Sequence, residues 1–290
     1  MSLTLFLKNK DVKDAFKKEF KIPRFKLQGE LLAPPLTNHY ALVGTAFDYL
    51  LRFYIKRLNP NAIEQPWISE VSLDLLKEAQ LDNLGLDNLF EMVEESPVYK
   101  KVVEIIDYSK LVYGEFIKNG ILNSDLFKAV LLLAQVDVIY RAGIVDENLG
   151  TVDKKDIEDL RNLISIVKPE HFKAKKVCIL NPTFGKASQL VGGADCDLVI
   201  DDTIIDIKTT KKLELTRSYF DQLIGYYILY KIAGIDGMAS SCEIKRLGIY
   251  FSRHAYFHSI DVRDIMKEDT FPNFVEWFKE RADEEYGYHI

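Results

Sequence analysis

The chain has 290 residues, of which 48% are apolar, and carries a formal net charge of −6. A chain of this length can bury a sizeable core and can form either two domains or one elaborated domain. The negative balance argues against a protein that coats nucleic acid with a uniformly basic surface. The cysteines, Cys178, Cys196 and Cys242, are too few and too scattered for a disulfide framework or a thiolate zinc site.

The sequence predicts neither membrane insertion nor secretion. The longest apolar run, Ala129 to Tyr140, is interrupted by Gln135 and Asp137 and is too short to span a bilayer. The first residues pass quickly from a short apolar stretch into alternating Lys and Asp, which is not the pattern of a signal peptide. We therefore expect a soluble protein of the reducing cytoplasm, without a membrane partner.

The N-terminal segment, residues 1–40, is basic. Residues 8–26 contain eight Lys or Arg against Asp11, Asp14 and Glu19. Such a segment can neutralise phosphates and release their counterions. The alternative is a solvated amphipathic helix from Asp11 to Phe20, and the sequence leaves both interpretations open.

Helical periodicity dominates the next part of the chain. A helix is expected from Ala41 to Leu58, where Asn59-Pro60 ends it. Further helices are predicted at 70–81, 86–95, 97–119, 124–142 and 153–167. We interpret 61–170 as a helical insertion between a core helix at 41–60 and a sheet-containing core at 171–290. In that core we expect strands at 176–180, 245–252 and 254–260, a helix at 215–232 and one or two amphipathic helices at 261–285.

The segment 193–210 carries the most informative pattern of the chain, because it predicts a β-hairpin. If Asp201-Asp202 forms a two-residue turn, Ile200 pairs with Thr203 and the antiparallel register follows from there. A four-residue loop would preserve the pairing, whereas an odd loop would destroy it.

One face of this hairpin collects charged side chains. The register places Asp197 opposite Asp206 and Asp195 opposite Lys208, with all four on the same side. Directly opposed residues have Cβ atoms about 4.5–5.5 Å apart, so two facing carboxylates can share one hard cation. The alternative is a surface hairpin in which these residues form ordinary exposed ion pairs.

The hairpin is followed by a helix that contains Gln222-Leu-Ile-Gly-Tyr226. An Asp at 197, the tripeptide Asp206-x-Lys208 and a helical Gln-x-x-x-Tyr together resemble the PD-(D/E)XK nuclease superfamily, and within it the RecB-like branch. The four-residue spacing puts Gln222 and Tyr226 on one helical face, one turn apart.

A third element of the resemblance lies upstream, in the helix that begins near Gly44. RecB-like nucleases carry a metal-binding His four residues after this Gly, and the present chain has Asp48 there. Asp is an oxygen ligand, so the departure favours hard cations over metals that prefer imidazole. Arg52 shares a face with Asp48 and is a candidate phosphate contact, although the two could simply form an ion pair along the helix.

The resemblance implies a restriction-endonuclease-like fold of the α/β class. Such a fold has a mixed sheet flanked by helices, here with a large all-helical insertion. The implied cofactor is Mg²⁺ or Mn²⁺, held by Asp197 and Asp206, together with Asp48 and the carbonyl of Ile207. Some RecB-like nucleases carry an iron–sulfur cluster on four cysteines, and three scattered cysteines predict no such cluster here.

The same resemblance implies roles for the remaining residues. Lys208 would position a water or neutralise the transition state, and Gln222 and Tyr226 would orient Lys208 or the substrate backbone. Asp195 either replaces Asp197 as a ligand or pairs with Lys208. Lys186 is a further candidate contact to the backbone, but no nucleotide site is expected there, since Leu180 stands where a phosphate loop needs its first glycine.

Three functions remain open on the sequence alone. The first is a metal-dependent exonuclease or endonuclease that hydrolyses DNA, with RNA left open, in repair, phage or defence, and with a helicase or another protein as a partner. The second is a catalytically inactive nuclease-fold module that binds nucleic acid or protein. The third is a helical scaffold or regulatory protein in which the hairpin pattern is a coincidence.

Overall fold

The computed structural model describes residues 2–23, 27–82 and 96–287, and of residues 78–82 the backbone only. The chain divides into two compact units. The first, which we call the sheet unit, comprises Met1–Glu30, Asn61–Gln65 and Lys168–Ile290. The second, the helical unit, comprises Leu31–Pro60 and Pro66–Val167.

Ten α-helices lie within the described ranges. They are α1 (Leu3–Phe6), α2 (Lys10–Glu19), α3 (Tyr40–Leu58), α4 (Ile68–Asp82), α5 (Pro97–Asn119), α6 (Ser124–Ala142), α7 (Lys154–Ser165), α8 (Lys186–Leu190), α9 (Arg217–Ala233) and α10 (Phe271–Tyr286). The predicted helices at 97–119 and 124–142 are confirmed to the residue by α5 and α6. The predicted helix at 86–95 falls outside the residues that the structure describes. None of the helices in the described ranges combines the length and apolar character that crossing a bilayer requires.

The sheet unit is built on a six-stranded mixed sheet. Its strands are β1 (Ile63–Glu64), β2 (Cys178–Leu180), β3 (Leu198–Ile200), β4 (Thr203–Lys208), β5 (Arg246–Phe251) and β6 (Tyr256–Asp261). They lie side by side in chain order, with β1–β2 and β4–β5 parallel and the other neighbours antiparallel. The predicted α/β class, with a mixed sheet flanked by helices, is therefore confirmed.

Helices of the sheet unit cover one face of this sheet. Val199 of β3, Ile204 of β4 and Ile224 of α9 are fully buried in one apolar cluster, which Phe16 of α2 and Phe278 of α10 also join. Because side chains alternate along a strand, Asp206 and Lys208 project to the same face as Ile204. The charged end of β4 therefore lies on the face that α9 packs against.

The turn between β3 and β4 explains why Asp-Asp works where Asn-Gly is more usual. Asp201 has a φ of +53°, in the left-handed region that Asp tolerates better than most residues. Its carboxylate accepts hydrogen bonds from the backbone N–H groups of Lys175, Lys176 and Val177, at 2.7–3.2 Å. Burial opposes the charged form, but these hydrogen bonds outweigh it and lower the Asp201 pKa. They thus anchor the predicted two-residue turn.

The domain boundaries differ from the predicted ones at three places. Strand β1 lies inside the predicted helical insertion, because two residues are too few to show a strand periodicity in the sequence. Helix α3, predicted as the core helix of the nuclease domain, packs with α6 and α7 in the helical unit. It buries side chains around most of its circumference, as a helix surrounded by other helices does. Of the predicted N-terminal segment 1–40, residues 1–30 belong to the sheet unit and residues 31–40 to the helical unit.

A buried polar network holds the centre of the helical unit. Tyr49 of α3 donates a hydrogen bond of 2.7 Å to Asp137 Oδ1 of α6, and the same phenol oxygen accepts from the Ser69 backbone N–H. Burial raises the pKa of Asp137 to about 7, although Tyr49 and two arginines oppose the shift. The folded protein therefore holds a proton on Asp137 that the unfolded chain releases near its usual pKa of 3.8.

This proton predicts a pH-dependent effect of Asp137→Asn. The contribution of Asp137 to wild-type stability should fall as the pH rises from 3.8 to about 7, because at this residue the folded state holds a proton that the unfolded state releases. The variant keeps an oxygen acceptor for Tyr49 but lacks this titration. Its free energy of unfolding, relative to wild type, should therefore rise by up to about 1.4 kcal/mol per pH unit across this window. Urea denaturation at pH 5, 6, 7 and 8 would measure the difference, and a flat difference would contradict the prediction.

Candidate active site

The site is built around the end of the β3–β4 hairpin. The register is as predicted, with Ile200 opposite Thr203 and Leu198 opposite Ile205. The ladder is three residue pairs long, however, and includes neither of the predicted pairs 197/206 and 195/208.

At Asp197 a side chain replaces the backbone as the link between the strands. The Asp197 backbone carbonyl accepts from the N–H of Asn181, while its Oδ2 accepts from the N–H of Ile207 at 2.5 Å. The carboxylate of Asp197 is thereby held beside β4, next to Asp206. The two predicted acids come together through this hydrogen bond, and not as a strand pair. The expected ligand role of the Ile207 carbonyl stays a prediction.

Asp195 pairs with a segment outside the predicted hairpin. It forms an isolated antiparallel bridge with Thr183, in the connection after β2. Asp195 still influences the site electrostatically, because it is among the carboxylates that raise the pKa of Tyr226. The sequence left open whether Asp195 or Asp197 is the first acid, and the hydrogen bond to β4 favours Asp197.

The ammonium group of Lys208 is held on three sides. Its Nζ lies 2.7 Å from Asp206 Oδ2 and donates to Gln222 Oε1 at 3.0 Å. The third contact is the ring of Tyr219, whose centroid is 5.0 Å from Nζ. Burial alone would lower the Lys208 pKa, but the carboxylates of Asp206 and Asp197 outweigh burial and raise it. Lys208 is therefore a fixed positive charge.

Gln222 and Tyr226 extend this network along α9. Gln222 Nε2 donates to the Tyr226 hydroxyl at 2.7 Å. The amide orientation follows from its partners, since an ammonium only donates and must therefore face the amide oxygen. Tyr226 stacks on Phe184, with ring centroids 5.7 Å apart. Burial, followed by the charges of Asp206 and Asp197, raises the Tyr226 pKa well above its usual value, so the phenol stays neutral.

Tyr219 is the site residue that the sequence reasoning missed. Aromatic residues at helical spacing usually pack inside a protein, so the residue type alone points to the core. Tyr219 is only partly buried, and its ring faces the Lys208 ammonium. The available signal was the spacing of Tyr219, Gln222 and Tyr226, which at i, i+3 and i+7 share one face of the helix.

The carboxylates fit a hard divalent cation with few protein ligands. Asp206 is 1% exposed, whereas Asp195 and Asp197 are partly exposed. Across the described residues no group of three or more His, Cys, Asp or Glu side chains is arranged to hold a metal ion. Mg²⁺ is often held by one or two carboxylates and completes its shell with water and substrate oxygens. Asp197 and Asp206 provide such a pair of oxygen donors.

The remaining predicted residues lie elsewhere. Asp48 and Arg52 belong to the helical unit, where Arg52 Nη2 donates to Asp48 Oδ2 at 2.6 Å. Arg52 is 4% exposed, and its guanidinium lies 4.5 Å from the centroid of the Tyr49 ring. The ion pair considered as the alternative is thus present, and the metal role of Asp48 and the phosphate role of Arg52 stay predictions. Lys186 is exposed at the first position of α8, and its contact role is likewise a prediction.

A cavity of about 780 Å³ lies within the helical unit. Its polar groups are largely engaged with one another. His39 Nδ1 lies 2.8 Å from Asp156 Oδ2, and Gln135 bonds to the backbone of Gly150 and Thr151. These contacts tie helices and loops of the helical unit together. The candidate active site therefore remains the group of charged side chains at the end of β4.

Comparisons with protein-family models, with curated proteins and with solved structures found no match. The assignment of a function therefore depends on the geometry of the site.

The buried ion pair predicts strong coupling between Asp206 and Lys208. Lys208→Met keeps most of the side-chain volume but removes the ammonium beside a buried carboxylate, so stability should fall by about 1–3 kcal/mol. The double variant Asp206→Asn/Lys208→Met should recover part of this loss, because a neutral amide needs no cation.

Chemical denaturation of wild type, both single variants and the double variant in EDTA would give the coupling energy. We expect about 0.5–3 kcal/mol, as for residues that share one network. Strictly additive effects would mean that the two charges do not stabilise each other.

Proposed function

We propose that the chain is a metal-dependent nuclease that hydrolyses phosphodiester bonds in DNA. The observation that carries this proposal is the connected set at the end of β4. Asp197 is bonded to β4 beside Asp206, Asp206 is paired with Lys208, and Lys208 is linked through Gln222 to Tyr226. Two acids and a fixed ammonium are the groups that metal-assisted phosphodiester hydrolysis needs.

We further propose that the sheet unit has a restriction-endonuclease-like fold and belongs with the RecB-like PD-(D/E)XK nucleases. Support comes from the order of its elements. An antiparallel hairpin carries the acids and the lysine, a helix with Gln-x-x-x-Tyr follows, and the next strand, β5, is parallel to β4. This order agrees with the pattern of residues on which the resemblance was based.

In this proposal Asp197 and Asp206 hold Mg²⁺ or Mn²⁺, with Asp48 and the Ile207 carbonyl as further candidate ligands. When bound, such an ion stabilises charge that develops on the phosphate and lowers the pKa of an attacking water. The rest of the chemistry is supplied by the chain itself, beginning with the position of Lys208.

Lys208 acts as a charge and not as a base. Its Nζ lies 2.7 Å from Asp206 Oδ2 and donates to Gln222, and the neighbouring carboxylates keep it protonated. A fixed ammonium beside a scissile phosphate neutralises the charge that builds up as the phosphorus–oxygen bond breaks. Gln222 and Tyr219 are positioning residues. Gln222 accepts a hydrogen bond from the ammonium, and the centroid of the Tyr219 ring lies 5.0 Å from it.

The alternative function is a catalytically inactive nuclease-fold module that binds nucleic acid or protein. The complete set of two acids and a lysine favours hydrolysis over this alternative. A cytoplasmic location and a helicase or other protein partner remain part of the proposal, since no separate motif for reading DNA is evident in the sequence.

Substitution of the central charges tests the proposal. Asp206→Ala and Lys208→Ala should each lower the rate of Mg²⁺- or Mn²⁺-dependent DNA cleavage at least about 100-fold, the scale seen when one group that stabilises a transition state is removed. Lys231→Ala, an exposed lysine at the other end of α9, is the matched control and should cleave at the wild-type rate.

The assay would use circular and linear, single- and double-stranded DNA, and RNA, with EDTA as the blank and circular dichroism to confirm folding. Cleavage by both alanine variants at the wild-type rate would remove these residues from the mechanism. Binding of DNA by the wild type without cleavage in either metal would favour the inactive module.

A further inference from the structure

A second cavity of the sheet unit, of about 390 Å³, lies between its N-terminal helices and α9. Most of its charged lining is basic. The lining residues are Thr4, Leu7, Lys8, Lys13, Lys17, Arg217, Ser218, Asp221 and Gln222. We call this cavity the basic groove.

Helix amphipathicity explains why the lysines converge. Lys13 and Lys17 are one turn apart on α2, so they share a face. Val12 and Phe16, which directly precede these lysines, are buried in the core, so Lys13 and Lys17 flank the buried face of α2 and are themselves exposed. Lys8 is also exposed, in the short connection between α1 and α2.

Arg217 fixes the opposite wall of the groove. Its Nη1 donates to the Phe20 carbonyl just after α2, at 2.8 Å, and its Nε donates to Asp221 Oδ2 at 2.9 Å. The carboxylate of Asp221 is thus paired inside the groove wall. Four basic side chains and one paired carboxylate give the groove a positive balance within a chain whose net charge is −6.

The groove reaches the candidate active site through Gln222. This residue lines the groove, and its Oε1 also accepts from Lys208 Nζ at 3.0 Å. A ligand in the groove therefore lies one side chain away from the ammonium that is proposed to face the scissile phosphate.

The size and lining of the groove indicate a single strand. A volume of about 390 Å³ is near the lower end of the range for small-ligand sites, about 300–1,000 Å³, and suits one or two sugar-phosphate units more than a duplex. Single-strand sites have a positively charged groove that follows the backbone, and the three lysines and Arg217 give this groove such a lining.

We propose that the basic groove binds the sugar-phosphate backbone of a single nucleic-acid strand next to the scissile phosphate. Lys8, Lys13 and Lys17 would contact phosphates, and Arg217 would hold the wall against which the strand lies. The inference rests on the proposed nuclease function for its substrate, but strand binding can be measured without hydrolysis.

Two double variants of α2 with equal charge test this. Lys13→Gln/Lys17→Gln removes two groove charges, whereas Lys10→Gln/Lys18→Gln removes two exposed charges of the same helix that do not line the groove. A fluorescent single-stranded oligonucleotide would be titrated in EDTA at several salt concentrations, so that no metal-dependent cleavage intervenes. Circular dichroism would confirm that both variants fold.

The groove variant should bind at least about tenfold more weakly at low salt, and its salt slope should fall by about 1.4, which is about 0.7 for each phosphate contact to a single strand. The control variant should keep the wild-type slope. Equal losses of affinity in both variants would mean that overall charge, and not the groove, determines binding, and would overturn the inference. An equal loss for a duplex of the same sequence would overturn its single-strand character.

The two proposals can fail separately. A wild type that binds with a groove-dependent slope but never cleaves in Mg²⁺ or Mn²⁺ would support the groove and overturn the nuclease. If the wild type cleaves DNA and the groove variant keeps the wild-type salt slope, the result would support the nuclease and overturn the groove.

Discussion

A buried carboxylate in the interior of a sheet needs a cation beside it, and in this chain Lys208 meets that need for Asp206. Strand β4 lies between β3 and β5; at Asp206 and Lys208 its backbone is paired with β5, and on the other side the Asp197 carboxylate accepts from the N–H of Ile207. The ammonium is then fixed by an amide and an aromatic ring of α9. Since unpaired buried charge is strongly destabilising, the packing of α9 on the sheet and the geometry of the site depend on each other.

The parts of this arrangement that are local in sequence could be predicted. The turn at Asp201-Asp202 and the pairing of Ile200 with Thr203 follow from turn length and from the period of two along a strand. Helices α5 and α6 follow from apolar periodicity and from the glycines that end them. In each case a few neighbouring residues contain the whole signal.

The rest depended on segments that are distant in the sequence. The ladder of β3 and β4 ends early because residues 195–197 pair with 181–183, and the carboxylate of Asp197 then bonds to β4 in place of its backbone. Strand β1 exists because Ile63 and Glu64 meet β2, more than a hundred residues later. Tyr219 could be read as core from its type, and only the position of Lys208 reveals its second role.

Helix α9 joins the two surfaces from which function was inferred. Arg217, Ser218 and Asp221 face the basic groove, whereas Tyr219 and Tyr226 face the hairpin. Gln222 is common to both, and its amide, with one acceptor and two donors, can hold Lys208 and Tyr226 at once. A nucleic-acid strand bound in the groove would therefore contact Gln222, the residue that already accepts from the Lys208 ammonium. Occupation of the groove and alignment of Lys208 would in that case be coupled through a single side chain.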